Sequence, residues 1–76
     1  MKRIIITVTP VAAGWAVKGP RARTTLTTKA AAVGFAASWG QDLWRGGQLA
    51  QVRVWRLDGR FHFERTYGKD PRRSKG

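Results

Sequence analysis

With 76 residues, no cysteine and a formal charge of +11, the chain has material for one small domain, which buries only about 60% of its unfolded surface. Neither a disulfide nor a thiolate zinc site can reinforce it, and the single histidine, His62, cannot hold a metal alone, so neither cofactor nor metal is expected. Ten arginines and five lysines face four acids (Asp42, Asp58, Glu64 and Asp70). Solubility needs a net charge of only about 2–8, and an excess of this size attracts phosphate-rich partners, which the planar arginine fork grips bidentately.

Residues 3–9 predict a first strand, with Ile4, Ile6 and Val8 on one face and Arg3, Ile5, Thr7 and Thr9 on the other. Pro10 is its expected end. The β-branched run 4–6 reads as strand and not as the apolar part of a secretory leader, so a cytoplasmic location is expected. No stretch approaches the roughly 20 apolar residues of a bilayer span. A turn over 11–14 leads into a second strand, 14–18, in which Trp15 and Val17 point the same way. Gly19-Pro20 punctuates its end, and residues 21–27 are extended, with room for a short third strand.

Thr28 is a candidate N-cap for a helix from Lys29 to about Arg45, with Ala32, Ala36, Trp39 and Leu43 facing the sheet. Gly46-Gly47 supplies the stop. Gly34 and Gly40 each cost about 1 kcal/mol against alanine in a helix interior, which points to close packing against the sheet or a second chain. Residues 49–56 and 61–67 are alternating strands joined by Asp58-Gly59, read as a two-residue type I′ turn. That register sets Trp55 opposite His62, Val54 opposite Phe63 and Arg53 opposite Glu64. Val52, Val54, Phe61 and Phe63 then lie over the helix. Arg53, Trp55, His62 and Glu64 point outward, with Arg53 and Glu64 as an ion pair. Arg56 and Arg65 fall on the core side, at its rim. The expected organisation is one α+β domain over residues 1–68, a small antiparallel sheet with one helix on one face in the order ββ(β)αββ, followed by a flexible basic tail, 69–76.

The segments Gly14-Trp15-Ala16-Val17-Lys18, Thr28-Lys29 before an alanine-rich helix, Asp58-Gly59-Arg60, Arg65-Thr66-Tyr67-Gly68-Lys69-Asp70-Pro71 and Lys75-Gly76 occur in that order. In this the chain resembles, over nearly its whole length, a family of short bacterial and phage proteins classed as a domain of unknown function. The Arg-Thr-Tyr-Gly-x-Asp-Pro stretch is the most specific part. The resemblance implies a stand-alone bacterial or phage protein with the ββ(β)αββ arrangement, and it brings no activity. Phe35, Trp39 and Trp44 make this helix more apolar than in such relatives, and the chain is more basic.

The residues offer no catalytic constellation. The four acids have structural posts, Ser38 and Ser74 lack a nucleophile-elbow context, and Gly46-Gly47 lacks the spacing of a phosphate loop. The expectation is a non-enzymatic protein with no small-molecule substrate. Three basic groups suit nucleic acid, DNA or RNA. Lys18, Arg21 and Arg23 lie on the segment before the helix, where their charges can follow a phosphate backbone. Arg53, Trp55 and Arg60, with His62, lie on the outer hairpin face, where bases can stack and arginines neutralise phosphates. Lys69, Arg72, Arg73 and Lys75 in the tail add affinity by counterion release. The alternative is a protein-binding module or a phage-encoded modulator of a host complex, with a homodimer through the apolar helix as one form of it, using Phe35 and Trp44 off the best helical face. Membrane binding is not expected, because the charges do not line one face of an amphipathic helix.

Overall fold

The clearest local signals bracket the helix. In a computed structural model of the chain, which describes residues 3–68, helix α1 runs Lys29–Arg45. The Thr28 hydroxyl accepts from the Ala31 amide at 3.1 Å, which satisfies one of the orphan donors of the first turn. At the other end, the amide of Gly47 donates to the Trp44 carbonyl and that of Gln48 to the Leu43 carbonyl, both at 2.9 Å. With Gly47 at φ +92°, this is a Schellman stop, and it needs a residue without Cβ at that position.

Five strands surround the helix in sequence: β1 (Arg3–Val11), β2 (Gly14–Lys18) and β3 (Arg23–Leu26) before it, β4 (Leu49–Trp55) and β5 (Phe61–Tyr67) after it. Their order in the single sheet is β3-β2-β1-β4-β5. Three pairings are antiparallel; β1 and β4 are parallel, from Arg3 opposite Leu49 to Val8 opposite Val54. The sheet is therefore mixed and not antiparallel throughout, because β2, β3 and α1 together form the long crossover that a parallel pair requires. The fold is α+β, one helix on one face of the sheet, in the order ββ(β)αββ read from the sequence.

The core is the contact of that helix with β1, β2 and β4. Ile6, Val8, Val17 and Val54 are fully buried, together with Ala32 and Ala36 of α1. Trp15, Trp39, Leu43, Phe63 and Tyr67 pack around them. Gly40 earns its place, since a Cβ there would sit 2.8 Å from the Tyr67 ring. Gly34 does not show the close packing against the sheet, for no described residue lies within 4 Å of the position its Cβ would take.

Two boundaries differ from the sequence reading. β1 does not end at Pro10 but continues to Val11, with Pro10 opposite Trp15 of β2. The β4 ladder has already stopped at Val8, so on that side of Pro10 no backbone donor is required.

The second difference is in the closing hairpin. Among the described residues none other than glycine has positive φ, which rules out a type I′ turn at Asp58-Gly59, as that turn needs positive φ at both positions. Instead Leu57, Asp58 and Gly59 form a three-residue loop. Gly59 takes φ +90° and donates to the Arg56 carbonyl at 2.9 Å, and the Arg56 amide donates to the Arg60 carbonyl. The Asp58 carboxylate accepts from the Arg60 amide at 3.0 Å. The extra loop residue slips the register by one, so Trp55 stands opposite Phe61 and not His62. A β-bulge at His62 takes the slip back, and Val54–Phe63 and Arg53–Glu64 pair as expected. Phe61 consequently leaves the helix side, where the sequence reading had set it.

Candidate nucleic-acid interface

Alternation along the strands sends every second side chain to the face that carries no helix. On β1 these are Arg3, Ile5, Thr7, Thr9 and Val11, which alternate with the buried Ile6 and Val8. The strand registers then align one residue from each strand into a row across this face: Arg23, Lys18, Thr7, Arg53 and Glu64. At about 4.8 Å per strand, Arg23 and Arg53 are roughly 14 Å apart along that row. Two groups that looked separate in the sequence, Lys18 with Arg23 and Arg53 with Trp55, are thus parts of one surface. The sequence could not show this, because β1 lies between them only through its non-local pairing with β4.

The row is unevenly neutralised. Arg53 lies 4.0 Å from Glu64, and its guanidinium donates to the Gln51 side-chain oxygen at 3.4 Å. The Gln51 amide in turn donates to the same Glu64 carboxylate. This triad pins Arg53 in place, while its half-exposed ion pair adds little stability. Among the described residues Arg53–Glu64 is the one ion pair within 4.0 Å. Lys18 and Arg23 both point to solvent.

Next along the strands on the same face come Thr25, Ala16 and Thr9, then Trp55 and Phe61. Ala16 is buried and small, so the middle of this second row is low. Trp55 and Phe61 stand at its end with centroids 5.4 Å apart and planes at 86°. Phe61 is half exposed. In the other direction β2 ends at Lys18 while β1 continues back to Arg3, and the step leaves a cleft of about 610 Å³ lined by Arg3, Ile5, Thr7, Lys18 and Pro20, among others. Arg3, Thr7 and Phe61 are members of this surface that the sequence reading did not single out. Strand alternation alone could have flagged Arg3 and Thr7; Phe61 needed the bulge.

The remaining predicted residues are elsewhere. Arg21 is exposed in the β2–β3 turn, which is closed by the Gly19 amide on the Ala22 carbonyl at 2.9 Å. Arg60 is at the tip of the β4–β5 hairpin, beyond the row. His62 does not flank Trp55: the bulge carries it towards α1, where its Nδ1 is 2.8 Å from Lys29 Nζ and its ring meets Phe63. Lys29 also lies 5.5 Å from the Trp15 ring centroid, so this cation caps the core edge. Arg65 sits opposite Val52 on the helix side and is exposed, at the rim as expected. Lys69, Arg72, Arg73 and Lys75 fall outside the described residues.

Phe35 and Trp44, the alternative interface, do not form one patch. Nine positions separate them, which at about 100° per residue puts them on opposite sides of the helix. Phe35 meets Trp39 edge to face at 6.1 Å and borders a cleft of about 260 Å³ with Ala22, Thr24, Ser38 and Asp42. Trp44 lies over Gly68, where a Cβ would be 2.7 Å from its ring. Each is about half exposed. Among the described residues no group of acids and histidine could hold a metal ion, and no helix is long and apolar enough to cross a membrane.

Comparison with known proteins adds a family. The model of a bacterial family described as "Uncharacterized protein conserved in bacteria (DUF2188)" matches residues 6–67, from the central strand to the end of β5. No curated protein and no solved structure matches the chain.

Proposed function

The chain belongs to this uncharacterized bacterial family, and we propose that it is a non-enzymatic nucleic-acid-binding protein that takes the phosphate backbone on the helix-free face of its sheet. The observation that carries the reading is the in-register row of Arg23, Lys18 and Arg53 with Arg3 on the same face, on a surface that no helix or second sheet covers among the described residues. Ten basic residues and three acids lie between positions 3 and 68, so most of the charge excess belongs to the folded domain itself. Phosphates bound along the row would release counterions, and that release supplies affinity without base identity.

The test is a fluorescence-anisotropy titration of labelled DNA and RNA at several salt concentrations. Affinity is expected to be micromolar or tighter near physiological salt, with a log–log salt slope of several units. No binding at moderate salt would overturn the proposal. A protein partner seated in the cleft beside Phe35 is the second reading. Its affinity would be nearly indifferent to salt and would fall on Phe35→Ala.

A further inference from the structure

The Trp55–Phe61 pair has no part in backbone binding, and two features of the hairpin had to combine to make it. The three-residue loop slips Phe61 opposite Trp55, and the bulge at His62 restores the register beyond. Without the slip, Phe61 would turn to the helix side. The outcome is a pair of aromatic rings on an open sheet face, at the end of a low row formed by Thr9, Ala16 and Thr25, beside a row of cations.

In an edge-to-face pair at 86°, the edge of one ring covers one face of the other. The ring that presents its edge keeps both its own faces clear of its neighbour. A flat π-system can stack on such a ring, and every nucleobase has one. Bases inside a duplex are already stacked on each other and closed to such contact, so this corner discriminates in favour of unpaired strands.

Resting on the reading of the cationic face as a phosphate site, we propose that the ligand is single-stranded nucleic acid. It lies across the strands with its phosphates along Arg53, Lys18 and Arg23 and one unpaired base stacked at Trp55 and Phe61. The geometry needs no particular base, because stacking at this corner uses the π-face and not the base edge. The triad of Gln51, Glu64 and Arg53 serves the arrangement by holding the guanidinium one alternation away from the stacking corner.

The experiment compares oligo-dT, oligo-U, a duplex of equal length and an abasic strand that keeps every phosphate and lacks bases. They are titrated against the wild type, Trp55→Leu, Trp55→Phe and Phe61→Leu. Circular dichroism and thermal melts confirm that each variant is folded. Base-bearing single strands should bind more tightly than the duplex and the abasic strand. Trp55→Leu should weaken only the base-bearing single strands, by roughly 5- to 100-fold, at an unchanged salt slope. Trp55→Phe, which keeps a ring, should recover most of the loss. Should Trp55→Leu fail to fold, the abasic comparison and Phe61→Leu decide. Equal binding of duplex or abasic strand, or indifference to both leucine variants, would overturn the stacking proposal and leave phosphate binding standing. Failure of every probe to bind would overturn both.

Discussion

The two faces of this sheet are built from the same five strands and are held to different standards. The centre of the helix-covered face consists of β-branched and small side chains, Ile6, Val8, Val17, Val52 and Val54 against Ala32 and Ala36, with almost no exposure. The helix-free face carries Arg3, Lys18, Arg23, Arg53, several threonines and an aromatic corner, and apart from Ala16 and Gln51 its side chains are at least partly open to water. Period-two alternation makes both faces from one sequence, so a change of residue at adjacent positions tests two unlike surfaces. On one, shape complementarity sets the outcome; on the other, charge and access do.

The comparison breaks most visibly on the covered face. Ile6→Ala should cost about 2–5 kcal/mol, from lost transfer energy and the cavity left behind. That is a large share of the stability available to a small domain. Urea denaturation should show a lower midpoint at unchanged slope, and a midpoint within error of wild type would refute the placement of Ile6 at the core centre.

Helix α1 allows a sharper contrast, because its two interior glycines answer to different surroundings. Gly40→Ala sets a methyl against the Tyr67 ring, and overpacking of that kind costs about 1–3 kcal/mol, more than the gain in helix propensity returns. Gly34→Ala meets no described residue and should stabilise by about 1 kcal/mol. Thermal melts of the two variants should therefore shift in opposite directions; shifts of the same sign would remove the packing account of Gly40.

On the open face, Lys18→Gln and Arg23→Gln should each change stability by no more than about 0.5 kcal/mol. Each should reduce the salt slope for nucleic acid by about one unit. A marked loss of stability in either would show that the row is structural, and an unchanged slope would show that it is not where phosphates sit.

Much of the fold was legible because its signals are local. Thr28 and Gly46-Gly47 name both ends of the helix, and the alternation in β1 sorts Ile6 from Thr7 without any tertiary information. The hairpin was only half legible. Asp58-Gly59 suits two turns that differ by one residue, and a local pattern cannot choose between them when a bulge further on hides the difference. Two slips of opposite sense left Val54–Phe63 and Arg53–Glu64 as expected while exchanging the neighbours of Trp55. The site was least legible of all. Its rows exist only once β1 and β4 pair in parallel, an event between segments that are far apart in the chain. The cost of Gly34 has no counterpart in its surroundings, and the structure gives no reason for it.

That parallel pair also governs how the molecule can come into being. The first strand of the chain is the middle strand of the sheet, flanked by β2 on one side and β4 on the other. During synthesis, β2, β3 and α1 can gather on β1 early, but Arg3 through Val8 keep one open edge until residues 49–54 emerge. Closing so long a loop comes before most of its reward, which slows folding and leaves a half-built sheet exposed in the meantime. A nascent chain stopped after α1 is therefore a template for pairing with other strands along β1, until β4 covers that edge.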